Sequence, residues 1–282
     1  MIARSIAILV LAACGLLMRA AFAQNESGPD LSIELVDPKV LRVCADPRNL
    51  PFSNEAGEGF ENKLAEMLAQ ELGKNLAYTY YPGAPGFVRN TLNAHKCDVI
   101  MGYPQGDDFV QPTNPYYRTS YVLIARRDAG LDGLEALQDP RLRGKKIGII
   151  AGTPPATNLA VNGLLPSIRS YPLVIDTRFD SSTDKMFKDL QAGEIDVAIL
   201  WGPIGGYDAK SSKDLTIIPL VHEQSGPRMI YRIGMGVRHS DQNWKRELNR
   251  FISENKTAIE RLLVSYGVPL LDEQDKPLRV EP

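Results

Sequence analysis

The feature that most narrows the fold is a strand–turn–helix unit that this chain spells out twice. In the first half "VLRVCA" (40–45) is a β-branched alternating strand, and "GFENKLAEMLAQELG" (59–73) follows as a helix. That helix sets Leu64, Met67, Leu68 and Leu72 along one face and closes on a glycine. "LAYTYY" reads as a strand, "GFVRNTLNAHK" as a short helix and "YVLIA" (121–125) as a further strand. "CDVIMG" is an unbroken apolar run, as expected of a strand covered on both faces. The same grammar then restarts. "LRGKKIGIIAGTPPATNLAVNGLL" is strand, turn and helix, with Thr153 placed to cap a first turn that tolerates Pro154 and Pro155. "YPLVID" and "EIDVAIL" are strands around the helix "TDKMFKDLQAG"; "GPIGGYDAK" is a glycine-rich turn with a helix start, and "LTIIPL" an edge strand. A long strand "RMIYRIGMGVR" and the longest helix, "NWKRELNRFISENKTAIERLLVSYG", finish the pattern.

Two such series predict an α/β chain of two lobes, each a mostly parallel sheet flanked by helices, with right-handed crossovers limiting the topology. The expected boundaries are 24–126 with 221–263 for lobe 1, 127–220 for lobe 2, and a surface tail over 264–282. The chain would cross near 125–128 and return near 221–226, two hinge passages with a cleft between the lobes.

The N-terminus is different in kind. "MIARSIAILVLAACGLLMRAAFA" has an early arginine, an apolar run and an Ala21-Phe22-Ala23 cleavage pattern, which reads as a signal peptide over 1–23. Leu11-Ala12-Ala13-Cys14 also fits a lipobox, so a lipid-anchored Cys14 stands as the rival reading. No later run approaches the roughly 20 apolar residues a membrane span needs. An exported chain meets an oxidising compartment, where the two remaining cysteines, Cys44 and Cys97, have one way to pair. Their positions, late in one strand and just ahead of another, make the distance between them the test of that bridge.

Several chemistries find no support. Formal net charge is −2, without the basic footprint of a nucleic-acid binder. "GTPPATN" lacks the spacing of a P-loop, and reads either as an ordinary turn or as an anion-holding helix start. "GPIGG" lacks the dinucleotide fingerprint, and there is neither a G-x-S-x-G elbow nor an H-E-x-x-H motif. His95, His222 and His239 have no metal-ligand spacing. No enzyme, metal or cofactor is expected. Ligands of open α/β sheets gather beyond the carboxyl ends of the strands. That rule selects Asp46, Asn49, Phe52, Tyr103, Tyr116, Tyr117, Arg118 and Thr119 from the first lobe, and Thr153, Trp201 and Tyr207 from the second.

Over residues 39–260 the stretches "LRVCADPRNLPFSNEAGEGFENKLAEMLAQELG", "CDVIMG", "NPYYRTSYVLIAR", "GKKIGIIAGT" and "LQAGEIDVAIL" resemble the landmarks of type II periplasmic solute-binding proteins. "MGYPQGDDFVQPTNPYYRTSYVLIARRD", "ILWGPIGGYDAK" and the cysteine pair sharpen the resemblance to the MxaJ/XoxJ family, leaning to the MxaJ branch. That resemblance implies a periplasmic protein, monomeric on its own, that assists assembly or activation of a PQQ-dependent methanol dehydrogenase. The alternative is a true receptor for a small aromatic, quinone-like or other organic ligand. Amino-acid binders of this class carry an arginine in the segment before "PYY" and an acid at the end of the "GEIDVAIL" strand. Here the segment "GDDFVQPTN" has no arginine, and Trp201 stands at the acid's position, where its ring is expected to plug the cleft.

Overall fold

Strand β1 (Val40–Ala45) lies between β4 (Asn75–Tyr80) and β5 (Val99–Pro104), parallel to both. Between β1 and β4 come the two-residue strands β2 (Arg48–Asn49) and β3 (Ser53–Asn54), which pair with each other. These assignments come from a computed structural model that describes residues 34–173, 180–210 and 212–280. The expected signal peptide, with Cys14 and Ala23, lies outside the described residues.

Strand β6 (Gln111–Pro112) is followed by the ten-residue β7 (Tyr117–Arg126), then β8 (Ile147–Ile150), β9 (Ile168–Tyr171), β10 (Val197–Trp201), β11 (Leu215–Pro219) and β12 (Ile230–Val237). The sheet order is β4-β1-β5-β12-β7-β10-β8-β9, with β11 on β7 and β6 on β12. Strand β7 holds the two lobes together. Its residues Tyr117–Ser120 pair antiparallel with β12, and from Tyr121 onward it pairs with β10 and β11. Tyr121 also closes the return passage: its N–H donates to the Met229 carbonyl, and its own carbonyl accepts from the Leu220 N–H, each at 2.9 Å. The exchange of strand partners falls at Ser120–Tyr121, within one unbroken strand, so no turn marks it. The sheets are mixed rather than mostly parallel: β1, β4 and β5 run together, as do β8, β9 and β10, but β7, β11 and β12 are antiparallel to their neighbours.

Lobe 2 shows why its strands read as apolar runs. Leu123, Ala125, Ile147, Ile149, Val197 and Ile199 enter one buried cluster, while the alternate residues Val122, Ile124, Ala198 and Leu200 enter another. With both faces covered by helices, every position is apolar. Lobe 1 is organised around Leu41, Val43 and Met101 of its strands. Against these pack Leu64 and Leu68 of α1 (Phe60–Leu72). Burying such side chains contributes about 1.5–3 kcal/mol each.

Four details differ from the sequence reading. Helix α2 is a single turn (Phe87–Asn90), and the strand expected from Tyr171 is β9, which ends there; 174–179 lie outside the described residues. The terminal helix is two, α6 (Gln242–Glu254) and α7 (Lys256–Ser265), following α3 (Pro154–Val161), α4 (Ser182–Gln191) and α5 (Gly202–Ala209). The break is at Asn255, whose amide donates to the Phe251 carbonyl at 3.0 Å and to Glu71 at 2.7 Å. The "GPIGGYDA" stretch is helical throughout, α5, where a glycine-rich turn ahead of a helix start was expected. Gly202, Gly205, Gly206 and Ala209 fall at i, i+3, i+4 and i+7, a face without side-chain bulk. That face is needed because a Cβ at Gly206 would come within 2.0 Å of the Gly267 carbonyl.

The expected surface tail is partly core. Val268, Leu270 and Leu271 are buried, the Thr119 hydroxyl donates to the Pro269 carbonyl at 2.7 Å, and Arg118 pairs with Asp275. Next to it the Lys210 ammonium donates to the Ser265 carbonyl, tying α5 to the end of α7.

Candidate functional site

The carboxyl ends of the strands open onto a cleft of about 1400 Å³ between the lobes. Asp46 stands where β1 ends, its carboxylate accepting from the backbone N–H groups of Arg48 (2.7 Å) and Gly83 (2.5 Å). Asn49 is on β2, Phe52 packs on Phe60 at 5.3 Å, and Tyr103 closes β5; all line the cleft. Burial, with Asp107 beside it, pushes the Tyr103 phenol up to about 12. From lobe 2 come Thr153, Trp201 and Tyr207. Thr153 does not cap α3. Its hydroxyl donates to the Ile150 carbonyl at 2.6 Å, and Pro154 and Pro155 bring no N–H groups, so this helix start offers little to an anion.

Three residues of the expected set lie elsewhere. Tyr116 is buried with its hydroxyl on the Met101 carbonyl at 2.9 Å, and Tyr117 lines the cleft in its stead. Arg118 and Thr119 are engaged by the C-terminal segment. Trp201 does not plug the cleft. Its ring rests edge-on against Tyr121 (5.2 Å) and Tyr231 (5.5 Å), forming an aromatic floor at the hinge.

Of the lining acids that escaped sequence reading, two are displaced in their ionisation. Glu61, in the first turn of α1, lies against Gly102 of β5 and is pushed up to about 8 by burial, with the Asp46 charge adding to it. Asp208, in the last turn of α5, is pushed up to about 6 by burial and by Asp184. A signal for Glu61 existed: it precedes Leu64 by three and Leu68 by seven, so an acid occupies the apolar stripe of its own helix. Asp208 had none, lying in the helix start after the glycine-rich turn without a pattern to mark it.

Comparison with known proteins follows the same outline. The chain is 30% identical to protein MoxJ of Methylorubrum extorquens, over 93% of its length and 92% of the relative's. The model of bacterial extracellular solute-binding proteins, family 3, matches residues 41–266. The chain belongs to that family, within its MoxJ/XoxJ group. The crystal structure of periplasmic binding protein XoxJ from Methylobacterium extorquens AM1 superposes with a TM-score of 0.70 at 43% identity, covering 83% of this chain and all of that one. MxaJ from Methlophaga aminisulfidivorans MPT reaches the same TM-score at 28% identity, covering 82% of this chain. Identity is thus higher to the XoxJ structure than to the MxaJ structure, against the lean of the sequence motifs.

Among the described residues no group of three or more His, Cys, Asp or Glu is arranged to hold a metal ion, and no helix is long and apolar enough to cross a membrane. The position of Glu61 carries a prediction. A carboxyl whose folded pKa is near 8, against an ordinary value of 4.5, keeps its proton in the folded state. Stability is then fully present at acid pH and falls as pH rises from about 4.5 through 8. Glu61→Gln cannot ionise, so at pH 9 it is expected to exceed the parent's stability by about 2 kcal/mol, with near equality at pH 5. Urea melts at the two pH values test this; equal differences at both would show that Glu61 is not held protonated.

Proposed function

We propose that this protein is a non-enzymatic periplasmic accessory factor of methanol oxidation, which assists assembly or activation of a PQQ-dependent methanol dehydrogenase by protein–protein contact. The observation that carries this reading is its likeness to MoxJ and XoxJ over most of its length. The higher identity to XoxJ favours that branch as the source of the partner. Within this reading the lobes are assigned as 34–120 with 230–280 and as 121–229, on the exchange of partners along β7.

The cleft chemistry agrees with a departure from amino-acid transport. The Arg118 guanidinium is paired with Asp275 instead of facing a ligand carboxylate, and an indole occupies the end of β10. A zwitterion entering here would lose hydration without matched charges to replace it. A second reading, a receptor for a small organic ligand, is favoured by one observation: the cleft remains open above its aromatic floor.

The dehydrogenase produced with and without this protein in the same host tests the accessory role. The expected result is a several-fold lower specific activity per mole of dehydrogenase when the protein is absent. Equal specific activity, with both preparations fully loaded with PQQ, would contradict it.

A further inference from the structure

The chain joins the lobes at two crossings that lie side by side: Ser120–Tyr121 on β7, and the start of β12, where Ile230 pairs with Ser120. Neighbouring crossings leave two lobes free to rotate about the line between them, unless a further contact away from that line removes the freedom. The segment after α7 makes such a contact. Helix α7 belongs to lobe 1, with Ile259 and Leu263 in its core, and the residues that follow lie along α5 of lobe 2. A Cβ on Gly202 would meet the Pro269 ring at 3.0 Å, and Gly206 and Gly267 touch backbone to backbone. Tyr207 stacks on Tyr266 at 6.3 Å, and the Lys210 ammonium holds the Ser265 carbonyl. From Gly202 to Lys210 this seam follows about 12 Å of helix. Gly205 rests on Val122 and Ile124 of β7, so the seam lies one layer off the sheet that carries the crossings. The other side of the segment is pinned to lobe 1. The Leu271 N–H donates to the Arg118 carbonyl at 2.9 Å, and the Tyr266 hydroxyl to the Glu58 carbonyl at 2.6 Å. The Thr119 hydroxyl bonds the Pro269 carbonyl, and Arg118 pairs with Asp275.

We propose that residues 265–275 act as a strap that fixes the angle between the lobes, so that the cleft keeps one aperture instead of opening and closing about the crossings. Rotation has to part the seam or shear it. Parting it takes the Lys210 donor from Ser265 and the Tyr207 ring from Tyr266, and uncovers the glycine face of α5. Shearing it drives the Gly206 and Gly267 backbones against each other, where no side chain can turn aside to make room. Whatever meets the cleft then finds a preformed shape and does not have to drive closure. The inference is independent of the accessory role, since a fixed aperture serves a receptor and a docking protein alike.

Distances between spin labels, measured on the full protein by double electron–electron resonance, test the strap. Gln70→Cys on α1 and Gln191→Cys at the end of α4 put exposed labels on opposite lobes. Gln70→Cys with Arg89→Cys, also exposed, puts both on lobe 1 and serves as the reference for motion of the labels themselves. The expected interlobe distribution is single and no wider than the reference. Gly206→Ala wedges the seam, and Lys210→Met removes a tie at an exposed position where the fold is not at stake. Either variant, shown to be folded by circular dichroism, is expected to move the mean interlobe distance by about 2 Å or more, or to broaden it about twofold. The proposal is overturned if the parent's interlobe distribution is bimodal or clearly wider than the reference, or if no folded variant departs from the parent.

Discussion

Asp98→Ala is expected to destabilise the protein by about 3–5 kcal/mol, the largest effect of any single substitution considered. Asp98 is 1% exposed and its carboxylate is the hub of a buried ionic cluster. Arg42 donates to it through Nε and Nη2, both at 2.7 Å, and Arg238 through Nη2, also at 2.7 Å. The Trp244 indole donates to the Asp98 carbonyl at 3.0 Å, fastening α6 to the start of β5. The pair does not owe its effect to a large net gain, since taking such ions from water roughly cancels their attraction. The penalty comes from what deletion leaves behind. Arg238, 6% exposed, would keep the Cys97 and Leu92 carbonyls and the Asp241 carboxylate, but lose the carboxylate that neutralises it jointly. Urea melts of Asp98→Ala, Arg238→Met and the double variant measure this. The double variant is expected to lose less than the sum of the two singles, because removing both charges leaves neither stranded. Losses under about 1 kcal/mol for Asp98→Ala, or strict additivity, would contradict the account.

Opening the Cys44–Cys97 bridge is expected to cost about 4 kcal/mol, the value chain entropy assigns to a loop of this size. The two residues are 53 apart in sequence and their Cα atoms 5.4 Å apart. Strand register alone would separate them, since Cys44 is opposite Ile100 in the parallel pair of β1 and β5. They meet because the segment before β5 is laid across the sheet face, where Leu92, Ile100 and Val110 pack around both sulfurs' residues. That apolar cluster survives loss of the bridge, so the fold is expected to persist. Cys44→Ala/Cys97→Ala should melt about 8 °C or more below the parent under oxidising conditions and close to it under reducing ones. Equal melting temperatures with and without reductant in the parent would sink the prediction.

What the sequence disclosed follows from how far each signal reaches along the chain. β5, β8 and β10 were legible because burial on two faces leaves an uninterrupted apolar run, a purely local signature. The exchange of partners along β7 was not legible, because one uniform strand serves two sheets and the change of partner is a long-range event with no local mark. The break at Asn255 hid inside a continuous amphipathic pattern, decided by an amide that reaches Glu71 on another helix. The glycines of α5 invited a turn ahead of the helix start; only the approach of Gly267 explains why the helix itself needs them. The candidate site was half legible. Strand-end placement located Asp46, Phe52, Tyr103 and Trp201, yet Tyr116 turned away and Glu61 was absorbed into a helix stripe. Family membership rested on longer motifs, and the comparisons with known proteins bear it out.

The measurement that bears most directly on the central claim is a titration of the purified protein into a PQQ-dependent methanol dehydrogenase from the same organism, followed by calorimetry at physiological salt. A saturable heat with a dissociation constant at or below the tens of micromolar, together with a defined stoichiometry, is the predicted result. No heat and no co-elution at tens of micromolar, with both proteins shown to be folded, would contradict the assignment.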